Sequence, residues 1–249
     1  MPSRNPTYHE QRETSYTLQL RQLLTELPPY ARDYFRAAEQ KTSAKTRVSY
    51  AYDLLVFFRF LIEKNPELSS KGINGITLGD IDLLTSGDIE EYQEYLKYYE
   101  AENGEQKNGA PSIARKMSSL RSFLDYFYKK EMLTKNVAMQ VDMPKLHEKA
   151  IIRLEPDEVA IMLDNIENYE NRLTGKKKDF FMKTKIRDIA IITLFLGTGI
   201  RVSECVGLDI TDINFRENSI RIVRKGGNES ILYFGDEVEK ALLDYIEGP

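Results

Sequence analysis

Apolar residues recur at three- and four-residue intervals over most of the chain, and strict alternation is confined to its last third. Between Lys45 and Lys64, Val48, Tyr52, Leu55, Val56, Phe58, Phe60 and Leu61 predict a helix, with Thr42 or Ser43 as its cap. The same spacing predicts helices over residues 30–39, with Tyr34 and Phe35 inward, and from Thr85 or Ser86 to about Tyr99. Another opens at Pro111 and runs to about Lys130, with Ile113, Met117, Leu120, Phe123, Leu124 and Phe127 on its apolar side. Residues 65–75 read as a loop, 76–81 as a short connection and 100–110 as a flexible loop. Ahead of the Pro28-Pro29 break, Leu18, Leu20, Leu23 and Leu24 predict an arm or short helix.

Residues 141–155 mix proline, charges and isolated aliphatics, which reads as an extended linker and includes His147. The expected division is an arm over 1–27, a helical domain over 28–143, a linker over 144–154 and a second domain from 155 to 249. Pro156-Asp157-Glu158 starts a helix to about Tyr169, a buried helix follows over 186–196, and a last one covers 236–246. Residues 171–185 are basic and read as a solvated insertion or a phosphate contact. Alternation in Ser219–Arg224 and again in Glu229–Phe234, around Lys225-Gly226-Gly227-Asn228, predicts an antiparallel hairpin. The fold class is therefore mainly α with a small antiparallel β-sheet, a helical bundle followed by an α+β unit.

Composition narrows the function classes. A chain of 249 residues can form two domains, and 41% hydrophobic residues suits ordinary globular cores. It contains no apolar run of about 18 residues and no signal-peptide pattern, so the expected location is cytoplasmic, away from any membrane. One cysteine, Cys205, and two unclustered histidines predict no internal disulfide, no metal and no cofactor. With a net charge of −4, any surface for nucleic acid must be local.

The chemistry concentrates between Ile191 and Leu208, IITLFLGTGIRVSECVGL. Gly197 and Gly199 permit a tight turn, after which Arg201 stands between two aliphatics, its backbone expected near the core and its guanidinium in a cleft. Guanidinium offers a planar fork of donors that fits two phosphate oxygens, and Glu204 can hold it from behind. A purely structural Arg–Glu pair at a helix start is the other reading. Lys225 at the tip of the predicted hairpin supplies a further cation. Lys45 and Arg47 near one helix start, with Arg115, Lys116 and Arg121 on another helix, are the remaining cations of interest.

The segments TGIRVSECVGLDITDIN, residues 198–214, and IRIVRKGGNES, residues 220–230, resemble the tyrosine recombinases, and the RKGG hairpin looks most like their Xer-type members. The resemblance implies a SAM-like, core-binding helical bundle joined to the first part of an α+β catalytic domain. It places Arg201 at a catalytic arginine, Glu204 at its supporting acid and Lys225 at the hairpin lysine. By the same resemblance, Lys45, Arg47, Arg115, Lys116 and Arg121 are carried over as contacts to double-stranded DNA with inverted half-sites.

The implied reaction is attack by a tyrosine on a DNA phosphodiester, giving a 3′-phosphotyrosyl link and a free 5′-hydroxyl, in chromosome dimer resolution or in mobile-element integration and excision. Family members continue with a His-x-x-Arg segment and a nucleophilic tyrosine, and neither is recognisable after Lys225. Tyr233 and Tyr245 follow it, one on a strand and the other at a core-spaced helical position, and neither is expected to be the nucleophile. The chain is therefore expected to lie within a truncated catalytic domain, to bind DNA without completing strand exchange, and to be monomeric when free although the full-length form acts as a homotetramer. Two rival readings stand beside this one: a non-catalytic remnant that occupies recombination sites, and a helical interaction module without DNA affinity.

Overall fold

The computed structural model describes residues 6–101, 104–146, 150, 152–224 and 227–248. They form two compact units, one over Glu10–Glu148 and the other over Lys149–Pro249 with Met1–His9. The first unit is helical: α1 (Tyr8–Glu26), α2 (Ala31–Ala38), α3 (Ala44–Lys64), α4 (Pro66–Lys71), α5 (Leu78–Asp82), α6 (Ser86–Tyr95) and, after the two-stranded ribbon β1 (Tyr98–Ala101) and β2 (Gly104–Lys107), α7 (Ala110–Lys129).

Local chemistry explains these boundaries. Ser43 Oγ accepts the Thr46 N–H at 3.2 Å and caps α3. Asn65 ends α3 and caps α4, its Oδ1 taking the N–H groups of Glu67 and Leu68, while Pro66 supplies the preset first turn. That pair of signals turns most of the expected 65–75 loop into a helix. Thr77 with Asp80, and Thr85 with Asp88, form reciprocal capping boxes for α5 and α6.

Helix α6 stops at Tyr95, short of the expected Tyr99, because Tyr98 enters the ribbon. The expected loop over 100–110 contains the second strand of that ribbon, with Tyr98 opposite Lys107 and Gly104 at φ +97° in its turn. The N-terminal stretch is a 19-residue helix, longer than an arm, and it buries Leu20 and Leu23.

Helix α3 is apolar nearly all round and runs through the centre of this unit, as a helix with more than one buried face must. Phe57, Phe58, Leu54 and Leu61 meet Tyr34, Phe35, Phe123, Phe127 and Tyr92 in one core. Phe123 sits edge-on to both Tyr34, at 5.2 Å, and Phe58, at 6.1 Å between ring centres. Tyr52, expected inward, is half exposed and receives a hydrogen bond from Gln19 at 3.0 Å.

The second unit contains α8 (Pro156–Glu167), α9 (Gly175–Thr198), the single turn α10 (Val202–Cys205), strands β3 (Ile213–Asn214), β4 (Ser219–Val223) and β5 (Glu229–Tyr233), and α11 (Asp236–Glu247). The strands form an antiparallel sheet in the order β3-β4-β5, with Ile213 opposite Ile220 and Ile220 opposite Leu232. Ile220 and Ile222 of β4 point inward against Leu194, Ile200, Phe234, Val238 and Leu242, and Arg221 and Val223 point out.

Several expectations change here. Most of the basic stretch 171–185 is the first half of α9, with Lys185 paired to Glu170 at 2.7 Å. The 186–196 segment is buried along one face only, at Ala190 and Leu194, whereas Ile186 and Leu196 are exposed. Tyr245 is exposed on α11 despite its core-like spacing, and Tyr233 is exposed on β5. The expected class, mainly helical with a small antiparallel sheet, is the one observed.

Candidate active-site arginine and nucleic-acid interface

Arg201 is fixed by the chain on both sides of it. Helix α9 ends at Gly199, whose left-handed φ of +65° lets its N–H reach Phe195 O at 3.0 Å. Thr198 Oγ1 then accepts the Ile200 N–H at 3.2 Å, and the Ile200 side chain enters the core of this unit. Arg201 thus begins the next helical turn from an anchored backbone.

Glu204 grips the same residue twice. Its Oε2 accepts the Arg201 backbone N–H at 3.0 Å and its Oε1 accepts Arg201 Nη1 at 2.9 Å. The Glu204 side chain is 6% exposed and that of Arg201 is 69% exposed, so a buried carboxylate orients a guanidinium that stands open to solvent. Burial pushes the Glu204 carboxyl up, but the Arg201 N–H and guanidinium, with the charge of Arg224, outweigh it and hold the group below the usual carboxylate range.

Arg224 reaches this neighbourhood from the end of β4, where its N–H donates to Asn228 O at 2.8 Å and its carbonyl accepts the Gly227 N–H at 3.0 Å. Lys225 lies outside the described residues. Cys205 is half-buried against the same core, and burial pushes its thiol up.

The cations of the helical unit fall into different settings. Arg115 Nη1 donates to Asp53 Oδ2, and Lys116 Nζ lies 3.6 Å from Asp53 Oδ1. Asp53 is 2% exposed, Lys116 is nearly as buried, and the Arg115 side chain remains 48% exposed. Burial drives the Asp53 carboxyl up against the pull of both cations. The three residues line a pocket of about 590 Å³.

Arg121 turns inward, donating from Nε to Ala138 O at 2.9 Å and from Nη2 to Val141 O, so that it ties α7 to the chain that follows. Arg47 is buried against Glu39, with Nη1 at 2.7 Å from Oε1. Lys45 is exposed on the first turn of α3. Of these five candidate cations, then, only Arg115 and Lys116 share a partner among the described residues. Asp53 was missed by sequence reasoning, although a lone acid inside the apolar run from Val48 to Leu61 is itself a signal of a buried partner.

Among the described residues no helix is long and apolar enough to cross a membrane. Two family models match: the phage integrase family over residues 152–249, and the N-terminal SAM-like domain of phage integrases over residues 33–131. The chain is 34% identical over 219 residues to tyrosine recombinase XerC of Caldanaerobacter subterraneus subsp. tengcongensis, covering 86% of this chain and 56% of that protein. It is 31% identical over 246 residues to tyrosine recombinase XerS of Streptococcus pyogenes, covering 88% of this chain and 67% of that protein. The chain thus spans between about half and two thirds of the length of these relatives.

Two solved structures share the fold. The Tn1549 transposon integrase in complex with circular intermediate DNA has a TM-score of 0.55 at 18% identity, covering 87% of this chain and 64% of that one. The XerH recombinase bound to a palindromic difH substrate has a TM-score of 0.56 at 14% identity, covering 82% and 53%. With a SAM-like domain, an integrase domain and 31% identity to XerS over two thirds of its length, the chain belongs to the tyrosine recombinase family.

Proposed function

We propose that this chain is the DNA-engaging part of a site-specific recombinase, and that Arg201 serves the scissile phosphodiester. The observation that carries this reading is the Arg201–Glu204 box, in which a buried, ionised carboxylate aims an exposed guanidinium. An orienting bond on one edge leaves the other donors of the fork free for two nonbridging phosphate oxygens. As a tyrosine hydroxyl attacks phosphorus and the bond to the 5′ oxygen breaks, charge accumulates on those oxygens, and a preorganised cation stabilises it without having to reorganise. The departing 5′ oxygen takes a proton, a role assigned to Lys225.

Neither Tyr233 nor Tyr245 is assigned as the nucleophile, so this chain alone is read as binding a duplex without exchanging strands. Its DNA contacts are assigned first to Lys45 and Arg115, which are exposed or half exposed, on α3 and α7. Lys116, which meets Asp53 of α3, is assigned to holding α3 and α7 together, and Arg121 to tying α7 to the chain that follows it. The relatives XerC and XerS are named tyrosine recombinases, which supports the reaction class. Assembly as a homotetramer on inverted half-sites is proposed for the full-length protein.

The test is Arg201→Ala in a chain that carries its nucleophile. Cleavage should slow by about 10²–10³-fold, as when one donor to a developing oxyanion is removed, with duplex affinity little changed. Cleavage at the unmodified rate would overturn the assignment.

A further inference from the structure

The helical unit holds a second cationic feature, with lining residues other than those of the Asp53 pocket. Arg21 of α1, Arg32 and Arg36 of α2 and Arg47 of α3 line one pocket of about 600 Å³, in which Glu39 is the acidic member. Arg21 and Arg32 have no ion-pair partner among the described residues, and Arg36 meets only Asp33, at 3.5 Å on an open surface. Such a surface pair neutralises little. Four guanidinium groups around one carboxylate leave the pocket in surplus positive charge.

Arg47 gives the pocket a fixed wall. Its side chain is 9% exposed, with Nη1 bound to Glu39 at 2.7 Å, yet its Nε is buried without any hydrogen-bond partner. A buried guanidinium with one edge unsatisfied is costly unless an acceptor reaches the same fork. Phosphate, with several acceptor oxygens, is the anion whose geometry suits that fork and the neighbouring arginines together.

The placement fits a groove. Lys45 and Arg47 are two residues apart on α3, about 200° around the helix, so the exposed Lys45 and the Arg47 pocket lie on opposite sides of its first turn. A helix entering a duplex by its N-terminus meets a phosphate wall on each side of a groove about 12 Å wide. We propose that the Arg21–Arg32–Arg36–Arg47 pocket is a phosphate-binding site, filled by a backbone phosphate across the groove from Lys45. The identification of duplex DNA as the source rests on the function proposed above; a free oligophosphate is the other source of the same chemistry.

The experiment compares the chain with the double variant Arg21→Gln/Arg32→Gln. Both side chains are exposed, so an unchanged melting temperature is expected and confirms the fold. Duplex affinity is measured over a salt series, and inorganic pyrophosphate is titrated while the Arg47 Nε–H resonance is followed by NMR. A backbone-phosphate site predicts a log–log salt slope shallower in the variant by about 0.9 for each phosphate it no longer neutralises. An unchanged slope, with a pyrophosphate-induced Nε shift that the variant lacks, assigns the site to free oligophosphate. An unchanged slope with no Nε shift overturns it. If the unmodified chain shows no salt-dependent duplex binding, the proposed function fails, and the pyrophosphate titration still decides the pocket.

Discussion

The two oxygens of Glu204 divide their work between the Arg201 backbone and its guanidinium, which makes this carboxylate a lever on the whole candidate site. Its pKa lies below the ordinary 4.5 in the folded chain. A depressed carboxylate stabilises the fold above its unfolded pKa, and that contribution disappears as pH falls through the lower folded value. Melting temperature should therefore decline as the solution is acidified from about pH 5, and Glu204→Gln should flatten that part of the profile. At neutral pH the same variant should lose about 1.5 kcal/mol of stability, the low end for a hydrogen bond to a charged group. Thermal melts of both proteins from neutral pH down through the acid range below about pH 5 check the prediction, and identical profiles would remove Glu204 from its orienting role. This pair was legible in the sequence because a helix start brings residues three apart together without help from the rest of the fold.

Capping signals gave the clearest helix boundaries, and their absence marks where periodicity misleads. Ser43 and Pro111 announced α3 and α7 within a residue or two. The β1–β2 ribbon is short and mostly polar, with Tyr98 opposite Lys107 and the buried Tyr99 opposite Gln106, so its apolar positions are too few for alternation to show. Helix α9 is longer than its apolar spacing predicts because its first turns carry lysines in place of an apolar stripe.

Two element-level outcomes follow from close contacts. A methyl group on Gly197 would sit 2.4 Å from Val238 Cγ2, where α9 crosses α11. Gly197→Ala should cost about 1–3 kcal/mol through overpacking, read by chemical denaturation. In the Thr77–Asp80 box, hydrogen bonds from Lys71 and Thr77 hold the Asp80 carboxyl down at about 2, against an ordinary 3.8. Its contribution should be complete above about pH 4 and fade as pH falls towards 2. Asp80→Asn should abolish that acid-sensitive part of the unfolding curve.

Across the whole molecule, the family was legible because its signature is local: a glycine turn, Arg201, Glu204 and a hairpin follow one another within about thirty residues. The intramolecular partners of Arg115 and Arg121 were not legible, because they are remote. Arg115 meets Asp53 across 62 positions and Arg121 meets carbonyls 17 and 20 positions away, distances at which no periodicity speaks. The net charge of −4 sharpens the central claim, since binding must come from local cations against a repulsive background. The most direct measurement is the affinity of this chain for a duplex with inverted half-sites over a series of salt concentrations. About six phosphate contacts predict a log–log slope near −5, whereas a flat response, or no binding at any salt, would contradict the account.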